Sequence, residues 1–175
     1  MKKILKKYQA FLLVSLTIIA YSFFNRELGE KVFDTTLFQL KEMLLVIPPI
    51  FILLGLLDVW VPKETMVKYM GEKSGVKGIL LALFIGSAAA GPLYGAFPVA
   101  AVFMKKGVKF SNILIFLGAW STTKIPMFLF EAASLGTRFA VTRLLIDIPG
   151  IILIAYVLNA LIPKQEVQKI YEKTE

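Results

Sequence analysis

Residues 86–98 read Gly-Ser-Ala-Ala-Ala-Gly-Pro-Leu-Tyr-Gly-Ala-Phe-Pro, an apolar run with three glycines and two prolines in thirteen residues. Proline removes a backbone donor and collides with the preceding helical turn, and glycine loosens what remains. A helix breaks here. The run lies inside residues 78–104, a segment apolar enough for a bilayer. Interrupted backbone at membrane depth is tolerated only where protein buries it or where it lines a cavity. A second interruption follows at residues 118–126, Gly-Ala-Trp-Ser-Thr-Thr-Lys-Ile-Pro, whose hydroxyls and lysine are costly in hydrocarbon and commonly functional. Two such interruptions in neighbouring apolar segments point to a binding or translocation site.

The bilayer itself is read from composition. The chain is 57% hydrophobic and 18% charged, with a mean hydropathy of +0.72, where a soluble domain carries roughly 25% charged residues. The charges cluster and leave apolar runs near the ~20 residues that a spanning helix needs. The net charge of +8 comes from lysines flanking those runs. They serve orientation and attraction to anionic lipid rather than nucleic-acid binding. Cysteine and histidine are absent, which removes disulfides, thiolate or imidazole metal sites and the usual triad base. No enzymatic activity, metal or cofactor is expected.

The expected fold is an all-α integral membrane protein with about four spanning helices plus a broken or re-entrant helical hairpin, in a single membrane domain over 1–175. The spans are 8–24, 43–60, 110–131 and 139–162, with 78–104 broken or re-entrant and 163–175 a polar tail. Met1–Lys7 is a basic lead into the first span, and large Phe23 and Phe24 carry the apolar run past a faint cleavage pattern at Ala20-Tyr21-Ser22, so this span is retained. Residues 25–42 mix both charge signs and read as a loop or short surface helix. Pro48-Pro49 kinks the second span or restarts it. Asp58 and Trp60 fit the membrane interface. Residues 62–77 connect, with Met66, Val67, Tyr69 and Met70 offering one apolar side to a short surface helix.

Two topologies fit 78–104. With a cytoplasmic N-terminus, a single kinked crossing places Lys105, Lys106 and Lys109 outside, against the positive-inside rule. A re-entrant hairpin returns them to the cytoplasm. Fourteen of the twenty basic residues are then inside and four outside (Arg26, Lys31, Lys41 and Arg138), with Lys124 and Arg143 within spans. The charge pattern favours the hairpin.

The residues expected to line a substrate pathway are Gly91, Pro92, Tyr94, Pro98, Ser121, Thr122, Thr123, Lys124 and Pro126. Glycine and proline shape the backbone, Tyr94 and Ser121–Thr123 hydrogen-bond, and Lys124 recognises charge. Lys124 falls near the middle of its apolar segment, where snorkelling to the interface is difficult. Its structural alternative is an ion pair with Glu131 or Asp147. Arg143 and Asp147 stand at i, i+4 and form a structural ion pair on one helix face.

The order of small residues, Gly91-Pro92, Phe97-Pro98-Val-Ala-Ala, the basic Lys105-Lys106-Gly107 turn, Gly118-Ala-Trp and Pro126 resembles a known predicted permease family. So does Leu135-Gly-Thr-Arg-Phe-Ala-Val-Thr-Arg143 with the apolar helix after it. The family includes ArsP-type organoarsenical efflux permeases and YraQ-like proteins. The likeness covers roughly 43–162 and is to one half of a full-length member. It implies a multi-spanning permease of the cell membrane, built from two related halves and moving a small solute outward. At about half that length, this chain calls for a second copy or a separately encoded related half. Without cysteine it lacks the soft thiolates that suit trivalent arsenicals. The alternative is a non-transporting membrane subunit that packs against and stabilises or regulates a partner, since small residues also allow close helix packing. The implied partners are the lipid bilayer, a small solute and a second half.

Overall fold

The computed structural model describes residues 8–89 and 91–172, without the side chains of residues 23, 53, 54, 57 and 58. The basic lead Met1–Lys7, Ala90, the side chain of Asp58 and the last three residues lie outside this description. Every regular element among the described residues is helical, and the fold is an all-α membrane fold. Three helical stretches are long and apolar enough to cross a bilayer, Arg26–Ile52, Phe110–Ser134 and Thr137–Leu161, while Gln9–Ser22, Gly75–Ala88 and Leu93–Lys105 are apolar but shorter.

The chain divides into two compact units, Met1–Pro48 and Pro49–Glu175. The first holds α1 (Gln9–Phe24) and the start of α2 (Arg26–Trp60). In α1 the hydroxyls of Thr17 and Ser22 donate to the carbonyls of Leu13 and Ile18, four residues back. These two hydroxyls are thereby satisfied within the helix, as hydrocarbon demands. Asn25 ends α1 and caps α2, its Oδ1 accepting from the Leu28 amide at 3.1 Å. Residues 26–42 are helical rather than a loop, and α2 runs on through Pro48-Pro49 without a restart. The cap and the pairs Arg26–Glu30 and Glu27–Lys31, each at i, i+4, explain why a mixed-charge stretch continues as helix.

The second unit contains α3 (Lys63–Met70), α4 (Gly75–Ala88), a 3₁₀ turn (Leu93–Gly95), α5 (Ala96–Lys105), α6 (Phe110–Thr122), α7 (Ile125–Ser134), α8 (Thr137–Leu161) and α9 (Lys164–Glu172). α6 is central, with Phe110–Ile113, Ile115, Phe116, Ala119 and Trp120 all buried. α4 meets it through Gly78, Ala82 and Gly86, buried at intervals of four residues, the spacing that lets helix backbones approach in a membrane. At Gly86 the approach is so close that a Cβ would lie 2.6 Å from the Phe116 carbonyl oxygen and 2.7 Å from the Ala119 Cβ. On another side Phe116 packs edge-on against Phe103 of α5 and against Trp120. The outward faces carry Phe84, Phe97, Phe130, Leu145 and Leu153, each more than half exposed. In water this would be an aggregation surface; in lipid it is the ordinary solvent-facing surface.

Hydrogen bonds fix the course of α4 and α5. Where α4 sets out, the Met70 carbonyl accepts from the Lys109 amide at 2.9 Å and from Asn112 Nδ2 at 2.8 Å. Lys106 Nζ, just past α5, donates to the Val61 carbonyl at 2.7 Å. The chain therefore leaves the α3 end along α4, breaks, and returns along α5 to the end it left. Met66 and Met70 anchor α3 in the core, whereas Val67 and Tyr69, expected on the same apolar side, are exposed. At this end α9 docks through Tyr171, whose hydroxyl donates to the Val108 carbonyl at 2.6 Å.

Candidate functional site

The two sequence interruptions meet. α4 ends at Ala88, and Gly91 adopts φ 104°, a conformation that L side chains rarely take. Pro92 is extended and leads into the 3₁₀ turn. Pro98 causes no break: it is the third residue of α5, where a helix has no internal acceptor for its amide. The second interruption is narrower than residues 118–126. α6 passes through Gly118, which packs on Ile151, and opens only at Thr123 and Lys124. Pro126, second residue of α7, helps restart the helix after the gap.

Three contacts join the breaks. The hydroxyls of Ser87 and Thr123 lie 2.8 Å apart. Lys124 Nζ donates to the Gly91 carbonyl at 2.8 Å, and Trp120 Nε1 donates to the Pro92 carbonyl at 3.2 Å. The junction thus gathers the C-terminal ends of α4 and α6, whose last carbonyls have no partner within their own helix ladder, with the N-terminal ends of the 3₁₀ turn and α7, whose first amides likewise have none. It presents both signs of backbone dipole beside one ammonium group. Helix ends of this kind bind ions and polar groups in a low-dielectric setting.

Of the residues expected along a pathway, Gly91, Pro92, Thr123 and Lys124 are in contact at this junction. Thr122 Oγ1 bonds back to the Gly118 carbonyl at 2.9 Å, while Tyr94, Ser121 and Pro126 lie exposed beside it. Lys124 does not pair with Glu131 or Asp147, because Arg143 takes both. Arg143 Nε donates to Glu131 Oε2 at 2.6 Å, and Nη1 donates to Asp147 Oδ2 at 2.7 Å and to the Thr122 carbonyl at 2.8 Å. The i, i+4 pair is therefore two sides of a triad that also ties down the last carbonyl of α6. Sequence spacing gives no sign of Ser87, which sits among alanines, nor of the Glu131–Arg143 pair, which depends on a turn at Leu135–Gly136 bringing α7 against α8. Among the described residues no three His, Cys, Asp or Glu converge as a metal site.

A family model described as a predicted permease, ArsP_1, matches residues 29–175. The chain belongs to this permease family. No curated protein and no solved structure matches it. Membership and the apolar helices make the chain a membrane protein, and they point to transport rather than catalysis. In this permease-family chain the broken helices lie within the matched residues, and so does the ion triad.

Proposed function

We propose that the chain is a half-size permease that carries a small anionic or polar solute outward across the cell membrane, past the junction of the two breaks. The observation that carries this reading is the bond of Lys124 to the Gly91 carbonyl. Its acceptor is a neutral carbonyl rather than a carboxylate, so an anionic oxygen of a solute would make the stronger bond in its place. Thr123 and Ser87 supply hydroxyls beside it. On this reading 78–104 is a re-entrant hairpin and the N-terminus is cytoplasmic. A second copy or a separately encoded related half completes the pathway. The chain contains no GxxxxGK[ST] phosphate loop, so an ion gradient or the solute's own gradient drives movement.

The test is Lys124→Met in proteoliposomes loaded with labelled phosphate, sulfate or methylarsonate, with oligomeric state measured in parallel. Loss of efflux with assembly intact is expected. Efflux at the wild-type rate would remove Lys124 from the pathway. Loss of assembly would favour the alternative, a subunit whose breaks serve packing, which the close contact at Gly86 also suits.

A further inference from the structure

α3 lies across the turn between α5 and α6 and is tied to it at both ends. Just before the helix, the Val61 carbonyl accepts from Lys106 Nζ at 2.7 Å. At its last residue, the Met70 carbonyl accepts from the Lys109 amide at 2.9 Å and from Asn112 Nδ2 at 2.8 Å. Met66 and Met70 are buried and mark its inward face. At about 100° per residue, Val67 and Tyr69 fall about 80° to either side of that face, and Lys68 about opposite it. Val67 and Tyr69 are 44% and 43% exposed, and Lys68 Nζ stands 5.4 Å from the centre of the Tyr69 ring. Two apolar flanks with a cation on the outer side make the cross-section of a helix lying in a bilayer interface. The charge around it has one sign in excess. Lys63, Lys68, Lys73, Lys77 and Lys105, on α3 and the segments that adjoin it, are all exposed. Glu64 is exposed among them, while Glu72 is taken by Lys109 Nζ at 3.4 Å. α9, docked at this end through Tyr171, brings two lysines and two glutamates and leaves the balance of the described residues unchanged.

We propose that α3 and these five lysines form a docking surface for anionic phospholipid headgroups, which seats α3 in the headgroup layer and sets the depth of the 78–104 hairpin. The ammonium groups reach the lipid phosphates, while Val67 and Tyr69 enter the acyl boundary beside them. A free phosphate or a soluble polyanion would match the charge and leave both apolar flanks in water. Because α3 is bonded at both ends to the α5–α6 turn, the level at which the headgroups hold α3 is also the level of that turn. The surface is independent of what Lys124 carries.

The test uses the full chain in nanodiscs of phosphatidylcholine mixed with phosphatidylglycerol. Mass spectrometry of the intact protein released with its lipids is expected to show wild type retaining phosphatidylglycerol in preference to phosphatidylcholine. The combined variant Lys63→Gln, Lys68→Gln, Lys73→Gln and Lys77→Gln is expected to lose that preference, at up to roughly fivefold in headgroup affinity per lysine. Arg26→Gln with Lys31→Gln, both in ion pairs on α2, is expected to keep it. Single cysteines in the cysteine-free chain then report depth. Spin labels at Val67→Cys and Tyr69→Cys are expected to meet oxygen, which concentrates in lipid, more than a water-soluble nickel complex, and a label at Lys68→Cys the reverse. Equal retention of the two lipids by wild type overturns the proposal without any variant having to fold, as does release of phosphatidylglycerol by inorganic phosphate. A preference that survives in the four-lysine variant, or is lost with Arg26 and Lys31, also overturns it. So do labels at 67 and 69 that are as open to nickel as one at Glu166→Cys, exposed on α9. These readouts involve no transport, so failure of the efflux assay above would leave them unaffected.

Discussion

Gly86→Ala probes the contact on which the whole junction depends. The added Cβ would lie 2.6 Å from the Phe116 carbonyl oxygen, 2.7 Å from the Ala119 Cβ and 3.0 Å from the Trp120 amide nitrogen. None of these atoms is the end of a flexible side chain that can turn away. α4 and α6 must separate by about 0.7–0.8 Å before these contacts reach about 3.4 Å, and a gap of about 0.5–1 Å forfeits roughly a quarter to a half of the dispersion well. The same displacement stretches the Ser87–Thr123 hydrogen bond, now 2.8 Å, towards its limit. Overpacking of this kind costs about 1–3 kcal/mol. Thermal unfolding in detergent, followed by tryptophan fluorescence, is expected to show a midpoint several degrees below wild type. Gly150→Ala is the control: its Cβ meets nothing within 4 Å, and in mid-helix the change gains up to about 1 kcal/mol from propensity. Equal stability of Gly86→Ala and wild type would refute the backbone-to-backbone packing and the positions of both breaks that depend on it.

Two further outcomes are expected. Burial, aided by the Glu72 carboxylate, pushes the Tyr171 phenol from 10.0 up to about 12, and the neutral phenol donates to the Val108 carbonyl. A raised folded-state value means that its contribution is complete below pH 10 and is lost as pH rises through about 12. The stability difference between wild type and Tyr171→Phe should therefore be flat below that window and shrink across it; a constant difference would sink the assignment. The cysteine-free chain also allows topology mapping with a membrane-impermeant thiol reagent. Lys105→Cys, at an exposed position where Lys106 is only 6% exposed, is expected to share its protection with Lys68→Cys on α3 and to differ from Glu30→Cys. Labelling of Lys105→Cys like Glu30→Cys would make 78–104 a single crossing.

Much of the architecture was legible because bilayer and backbone chemistry are local. Apolar runs of spanning length, lysines at their ends, and Gly91-Pro92 inside one of them dictate helices, their medium and a break from sequence alone. The same local rules left residues 26–42 open between a loop and a short surface helix, because mixed charges suit either. Paired at i, i+4 behind an asparagine cap, they support a helix instead. Pro98 likewise reads as a breaker, yet three residues into a helix it has no bond to break.

What the sequence by itself determined about this protein is the membrane environment, the helical class, the Gly91-Pro92 break and the region of the second one, together with a resemblance that the family match supports. Only the tertiary structure decided which polar groups meet. Lys124 had two carboxylates within plausible reach along the chain, and it binds neither. The turn at Leu135–Gly136 delivers Glu131 to Arg143, whose guanidinium also takes Asp147 and the end of α6, while the close approach at Gly86 carries Gly91 within 2.8 Å of Lys124. The physical reason is range. Propensity and hydropathy act over a few residues, whereas the partner of a buried charge depends on which helices pack together, and that packing is decided by small residues distant in sequence.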